Sequence, residues 1–135
     1  MHTGSCLCGA VTFEIDGELA PVQFCHCSQC RRASGTAFAS NIPVKAERFR
    51  LLAGADSLKA YESSPGKQRV FCATCGSQLF SRTSAHPGNL RLRAGTLDEP
   101  ATPPPAFHFH VASKAGWWAI TDDLPQYPGP RPPGD

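Results

Sequence analysis

Seven cysteines in three tight clusters constrain this 135-residue chain more than any other feature. They stand as Cys6-x-Cys8, Cys25-x-Cys27-x-x-Cys30 and Cys72-x-x-Cys75, and two of the clusters run straight into a glycine, Gly9 or Gly76. An odd number cannot be paired off completely as intramolecular disulfides, and a reducing compartment opposes disulfides in any case. Metal ligation is the reading that uses all seven. A glycine after the second sulfur lets the backbone turn with positive φ, so that amide N–H groups curl back toward the sulfurs of a metal knuckle. A single pair such as Cys72-Ala73-Thr74-Cys75 could be a redox pair, but three clusters in one short chain point to zinc. Spacing alone does not separate zinc from iron at a four-cysteine site, because tetrahedral sulfur suits both.

Two thiolates do not fill a tetrahedral site, so the clusters share ions, and seven ligands divide most simply into four and three. Residues i and i+2 of a strand face the same way, so Cys25 and Cys27 converge, and Cys30, one turn beyond Cys27, completes a tripod. The outer pairs, Cys6/Cys8 and Cys72/Cys75, are left to make a closed site of four. Two alternatives stay open at this point: Cys6 and Cys8 joining the central cluster, and His26 serving as a ligand. His26 alternates with its neighbours on a strand and points away from both, which favours a polar residue packed beside the site. His108 and His110 share one face of a strand candidate; they either approach an open ion or, as is commoner, are packed and hydrogen bonded.

The fold class expected is all-β. Gly 12 and Pro 13 are both above average usage, and no periodic stretch rich in alanine or leucine is present, which favours short strands and turns over a helical bundle. Val11 to Ile15 alternates at period two before the turn signal Asp16-Gly17, and Val22 to Cys25 is a second extended run. Ser28 to Ala33 has room for one helical turn before Ser34-Gly35 ends it. Further strands are expected over Thr36 to Ile42, Arg48 to Leu52, Leu58 to Tyr61, Arg69 to Phe71, Gln78 to Ser81, Leu90 to Ala94 and Phe107 to Val111. In Leu90-Arg91-Leu92-Arg93 the leucines take one face and the arginines the other. Ala101 to Pro105 is an extended connector. One domain over residues 1–124 is expected, followed by a Pro/Gly-rich flexible tail over 125–135 that has almost nothing to bury.

A formal charge of +2 is too mild to announce nucleic acid. The pairs Arg48/Arg50 and Arg91/Arg93 read as solvated faces. No apolar run approaches the roughly 18 residues of a membrane span, and the first residues lack the basic start and apolar stretch of a signal peptide, so a soluble, cytoplasmic protein with no membrane partner is expected.

Several stretches carry a resemblance: Gly4-Ser-Cys-Leu-Cys-Gly-Ala-Val-Thr-Phe-Glu14, Cys25-His-Cys-Ser-Gln-Cys-Arg-Arg-Ala-Ser-Gly35, Phe71-Cys-Ala-Thr-Cys-Gly-Ser-Gln-Leu79, Ala94-Gly-Thr-Leu-Asp98 and Ser113-Lys-Ala-Gly-Trp117. In order and motif the chain resembles the glutathione-dependent formaldehyde-activating enzyme family, which includes centromere protein V-type domains. The match runs from near the start to about Ile120, with Gly116 where the family usually has proline. The resemblance implies a β-tent of small sheets around a structural zinc, similar to a zinc-dependent chaperone of Rab GTPases. It also implies two zinc ions: one on Cys6, Cys8, Cys72 and Cys75, the other, active, on Cys25, Cys27 and Cys30. The reaction it implies joins glutathione to formaldehyde as S-hydroxymethylglutathione, a carbon–sulfur lyase reaction run backward.

The residues add chemistry to that expectation. Three thiolates leave a divalent ion net negative, a poor Lewis acid for water and a better site for a soft sulfur ligand, whose pKa the ion lowers. Arg31 and Arg32 follow the tripod and either hold substrate carboxylates or offset thiolate charge. Lys114 reads as a surface lysine, and Trp117 and Trp118 as core packing rather than pocket wall. The rival reading is a noncatalytic zinc module for protein or nucleic-acid partners, its tripod filled by His26, His108 or a partner's ligand.

Overall fold

The structure is a computed structural model that describes residues 1–133. Among these residues ten strands form two sheets. The small sheet is antiparallel, in the order β1 (His2–Ser5), β2 (Thr12–Ile15), β5 (Phe49–Ala53). The large sheet has seven strands in the order β10 (Pro105–Phe109), β3 (Val22–Cys25), β4 (Ala39–Lys45), β9 (Asn89–Arg93), β8 (Gln78–Thr83), β7 (Lys67–Cys72), β6 (Leu58–Ser64). All its pairings are antiparallel except that of β10 with β3. Among the described residues the one α-helix, α1 (Ser28–Ser34), follows β3 and ends on Gly35 in the left-handed region. Among the described residues no helix is long and apolar enough to cross a membrane.

The all-β expectation holds, and period-two alternation is what builds it. Phe13 and Ile15 of β2 are almost wholly buried and meet Ile42, Val44, Val70, Phe80, Leu90 and Leu92 from the large sheet in one apolar cluster. Phe49 bridges the layers, stacked on Phe13 at 5.2 Å and edge-on to Phe80 at 5.4 Å. The same alternation gives the large sheet a second, outward face. Register places Cys25 opposite Phe109 and Ala39, Asn41 opposite Arg93, Ser81 opposite both Arg91 and Arg69, and Lys67 opposite Thr83. Facing side chains across a ladder lie on one side, so these residues form a single polar and cationic surface.

Two expectations are corrected and one strand is added. A strand at His2–Ser5 was not foreseen, because Thr-Gly-Ser carries no apolar alternation; Gly4 is required there, since a Cβ would lie 2.3 Å from Phe13 Cζ and 2.5 Å from the Thr96 carbonyl. The last strand ends at Phe109, and His110 sits at φ 55° outside it, so His108 and His110 do not share a strand face. The segment read as a free tail is docked along β10 over part of its length: Tyr127 N–H donates to the His108 carbonyl at 2.9 Å, His110 N–H to Gly129 at 2.7 Å, and Tyr127 packs on Phe107. Backbone pairing with the open edge of β10 and one aromatic ring supply what the apolar content does not. Gly134 and Asp135 lie outside the described residues.

Gly54, between β5 and the turn into β6, has φ 94°, and a Cβ there would stand 2.3 Å from the Ala10 carbonyl oxygen and 2.7 Å from Val11 Cα. Gly54→Ala is therefore expected to cost on the order of 2 kcal/mol or more in urea unfolding, through backbone strain and collision with the segment that carries Cys6 and Cys8. Unchanged stability would mean that this close approach does not fix the two segments.

Candidate metal centres

The four outer cysteines come together although 64 residues separate Cys8 from Cys72. Their sulfurs all lie within 4.8 Å of one another. Cys6 Sγ is 3.6 Å from Cys8 Sγ, which is 3.9 Å from Cys72 Sγ. A tetrahedral ion with metal–sulfur bonds of about 2.3 Å needs sulfurs about 3.8 Å apart, so the donor set fits such an ion. Two matching turns build it. Gly9 and Gly76 both have φ near 80°, and their amides donate to the carbonyls of Cys6 and Cys72 at 3.2 and 2.7 Å. Val11 N–H points at Cys6 Sγ at 3.3 Å, and Leu7 N–H donates to Ser77 Oγ at 2.9 Å, tying one turn to the other. Ser77, through its hydroxyl at 3.3 Å and then its amide, pulls the Cys75 thiol down to about 5.

The central trio also converges, its sulfurs within the same 4.8 Å limit. Cys25 ends β3, Cys27 caps α1 by accepting the Cys30 N–H at 3.3 Å, and Cys30 lies in the first turn. Cys25 and Cys30 are buried, Cys27 partly so. The sulfurs of Cys25 and then Cys30 hold the Cys27 thiol well below its ordinary value, whereas those of Cys27 and Cys30 push Cys25 far above it. Sulfurs this close cannot all ionise unless a cation lies among them, which is the electrostatic signature of a ligand set.

His26 is not a ligand in either group. It is wholly buried, with Nε2 2.7 Å from His108 Nδ1, while His108 Nε2 lies 3.0 Å from a carboxylate oxygen of Asp122. Burial first, then the charges of His108 and Lys114, push the His26 imidazole down to about 4. The packed, hydrogen-bonded reading of these histidines fits, and Asp122 is a member the motifs did not reveal. Lys114 is not a loose surface lysine: Nζ donates to the carbonyls of Ala115, at 3.0 Å, and Trp118. Trp117 and Trp118 are not in the core, being 70% and 42% exposed; Trp118 packs edge-on against Phe38 at 5.9 Å.

Two cavities open beside the trio. The inner one, about 360 Å³, is lined by Cys30, Phe38, Ser40, Arg69, Arg93 and Thr96, among others. The outer one, about 520 Å³, is lined by Gln29, Arg32, Tyr61, Phe71 and Arg69 among others, and shares Ala33, Arg69 and Gln78 with the first. Arg32 thus reaches the outer cavity, while Arg31 lines neither and its Nε is buried without a hydrogen-bond partner. The spacing missed Arg69 and Arg93. Arg69 is 4% exposed and directs Nη1 and Nη2 at Cys30 Sγ, 3.8 and 3.7 Å away. Arg93, read as a solvated arginine, is 9% exposed and donates to Asn41 Oδ1 at 2.6 Å. Period two placed it correctly opposite the leucines, but that face is the floor of the site rather than solvent.

Comparison with known proteins follows the same lines. A family model described as "Glutathione-dependent formaldehyde-activating enzyme" matches residues 1–113. A relative from Aspergillus flavus, named "Putative glutathione-dependent formaldehyde-activating enzyme", is 30% identical over 83% of this chain and 53% of its own length. One of the same name from Halomonas elongata is 32% identical over 87% of this chain and 79% of its own. The chain therefore spans about half the length of the fungal relative. A crystal structure of a Rhodobacter sphaeroides protein superposes with a TM-score of 0.62 at 27% identity, covering 75% of this chain and 91% of that one.

The two ligand sets should fail differently. Cys75→Ser should remove most of the thermal stability, because an ion on the outer set would tie the two sheets together, and structural zinc in small peptides is worth on the order of 10 kcal/mol of folding. Cys27→Ser should keep the fold, since serine caps a helix at least as well as cysteine, and lose only the second ion. Equal melting temperatures for the two metal-replete variants would contradict the assignment.

Proposed function

The chain belongs to the glutathione-dependent formaldehyde-activating enzyme family, and on that premise we propose that it joins a small thiol to an aldehyde, with glutathione and formaldehyde the first pair to try. The observation that carries this reading is a trio of converging sulfurs, Cys25, Cys27 and Cys30, of which Cys30 opens onto a cavity floored by cations. The second set, Cys6, Cys8, Cys72 and Cys75, has no such cavity among those described and is the structural one. Each set holds one zinc ion in this reading, which gives two per chain. Cys25, Cys27 and Cys30 would hold that second ion, which when bound would lower the pKa of a thiol substrate and so favour its thiolate at neutral pH, the thiol proton passing to solvent.

The chain's own groups do the rest. Arg32, which lines the outer cavity with Tyr61 and Phe71, holds a carboxylate of the thiol substrate by paired hydrogen bonds in this reading. The thiol end then lies in the inner cavity, which adjoins the outer one along Ala33, Arg69 and Gln78. Phe38, Ala39 and the backbone of Gly95 line that inner space with apolar surface and limit water beside the reacting atoms. The bond-forming step adds the thiolate sulfur to the carbonyl carbon. A C–S bond forms, the C=O π pair moves to oxygen, and that oxygen takes up one proton from solvent to give the hydroxymethyl thioether. Run in reverse this is a carbon–sulfur lyase reaction. The reducing cytoplasm is the compartment in this reading, because seven thiols persist there as ligands.

Adduct formation should exceed the buffer rate for the native chain and return to it in Cys27→Ser at matched aldehyde. Arg32→Gln should raise KM for a carboxylate-bearing thiol several-fold and leave that for 2-mercaptoethanol unchanged. Native and Cys27→Ser chains that both match the buffer rate for every thiol tried, with the second ion present, would overturn the enzymatic reading in favour of a noncatalytic zinc module.

A further inference from the structure

An anionic ligand set that is to receive a further anion must overcome its own charge, and the large sheet supplies the means. Three thiolates around a divalent ion sum to −1, and a thiolate in the fourth position would make −2. Arg69 and Arg93 lie on β7 and β9, line the inner cavity with Cys30, and are 4% and 9% exposed. Among the described residues neither makes an ion pair with a carboxylate. Their hydrogen bonds to oxygen go to neutral groups, Ser63 Oγ and Gln29 Oε1 for Arg69 and Asn41 Oδ1 and the Arg91 carbonyl for Arg93, and Arg69 also directs both Nη atoms at Cys30 Sγ. A buried guanidinium with no counter-charge is costly, so two of them beside one sulfur set require anions in that set. The sulfurs act back on Arg93, opposing the effect of its burial.

We propose that Arg69, seconded by Arg93, is a specificity-determining residue that makes the Cys25/Cys27/Cys30 site select an anionic fourth ligand over a neutral one. The inference rests on the reading of that trio as an open metal site. With both arginines counted, the inner site carries +1 before the fourth ligand arrives and is neutral once a thiolate enters, whereas a neutral donor leaves the charge unbalanced. Lys67, two residues before Arg69 on β7 and partly exposed, adds the same sign at longer range. The preference is built from the sheet and not from the cysteine motif: Arg69 arrives 39 residues after Cys30.

The test uses the full chain loaded with cobalt(II), whose sulfur charge-transfer and ligand-field bands report the fourth ligand. 2-Mercaptoethanol is the anionic probe, chosen because it has no carboxylate for Arg32, and imidazole is the neutral one. Arg69→Gln should weaken 2-mercaptoethanol at least tenfold and leave imidazole unchanged, and Arg69→Lys should restore most of the loss. If Arg69→Gln does not fold, as judged by metal retention at the outer site, Arg93→Gln carries the same expectation with a smaller loss. A variant in which both probes weaken equally, or neither does, overturns the charge role while the open site stands. A native chain that takes up neither probe overturns the open-site reading itself, and this inference with it.

Discussion

The convergence of four sulfurs drawn from Cys6, Cys8, Cys72 and Cys75 is the constraint on which the rest of the molecule depends. Two of them lie in the loop between β1 and β2 of the small sheet, and the other two at the end of β7 and in the turn that follows it in the large one. A 135-residue chain with many short strands buries a modest core, and its sheets are joined by loops rather than by long helices. Bringing the sulfurs together fixes how the sheets face each other. Phe13, Phe49 and Phe80 then pack in series across the gap. Gly4 and Gly54 matter for the same reason, since each lets backbone approach where a side chain would hold it off.

Once the sheets are set, the large one has an inner face committed to the apolar core and an outer face free for chemistry. That outer face gathers opposite charges: thiols from β3 and α1 on one side, arginines and a lysine from β7 and β9 on the other. Neither group is stable alone in a poorly solvated place. Crowded sulfurs resist ionisation, as the divergent shifts of Cys25 and Cys27 indicate, and buried guanidinium groups need anions. The site is thus an electrostatic balance between a local motif and distant strands. The His26, His108 and Asp122 chain holds the back of the same segment, with His26 kept neutral by its burial.

Much of this was legible in the sequence, for reasons that differ by residue. Cysteine spacing brought both ligand sets within reach, and the positive φ at Gly9 and Gly76 followed from the chemistry of a knuckle. Period two found β2 and β9, because one face of each meets the apolar core, and β3 was legible as a short extended run. The strand at His2–Ser5 was hidden because its partners, not its own side chains, define it. Arg69 and Arg93 were hidden because an arginine alternating with apolar residues looks the same whether its face meets water or a metal site. Trp117 and Trp118 misled in the opposite sense: large aromatic rings count as core by composition, yet here both are exposed, and Trp118 packs edge-on against Phe38 of the cavity wall. The docked segment around Tyr127 depends on an open strand edge, which only the assembled sheet reveals.

The central claim, two ion sites of unequal closure on one chain, is most directly tested by native mass spectrometry of the metal-replete protein during a chelator titration. The account predicts a species with two zinc ions that passes through a long-lived one-ion species, because three sulfurs hold an ion less completely than four. A chain that never binds more than one ion under metal-replete conditions, or that loses two ions together in a single step, would contradict it.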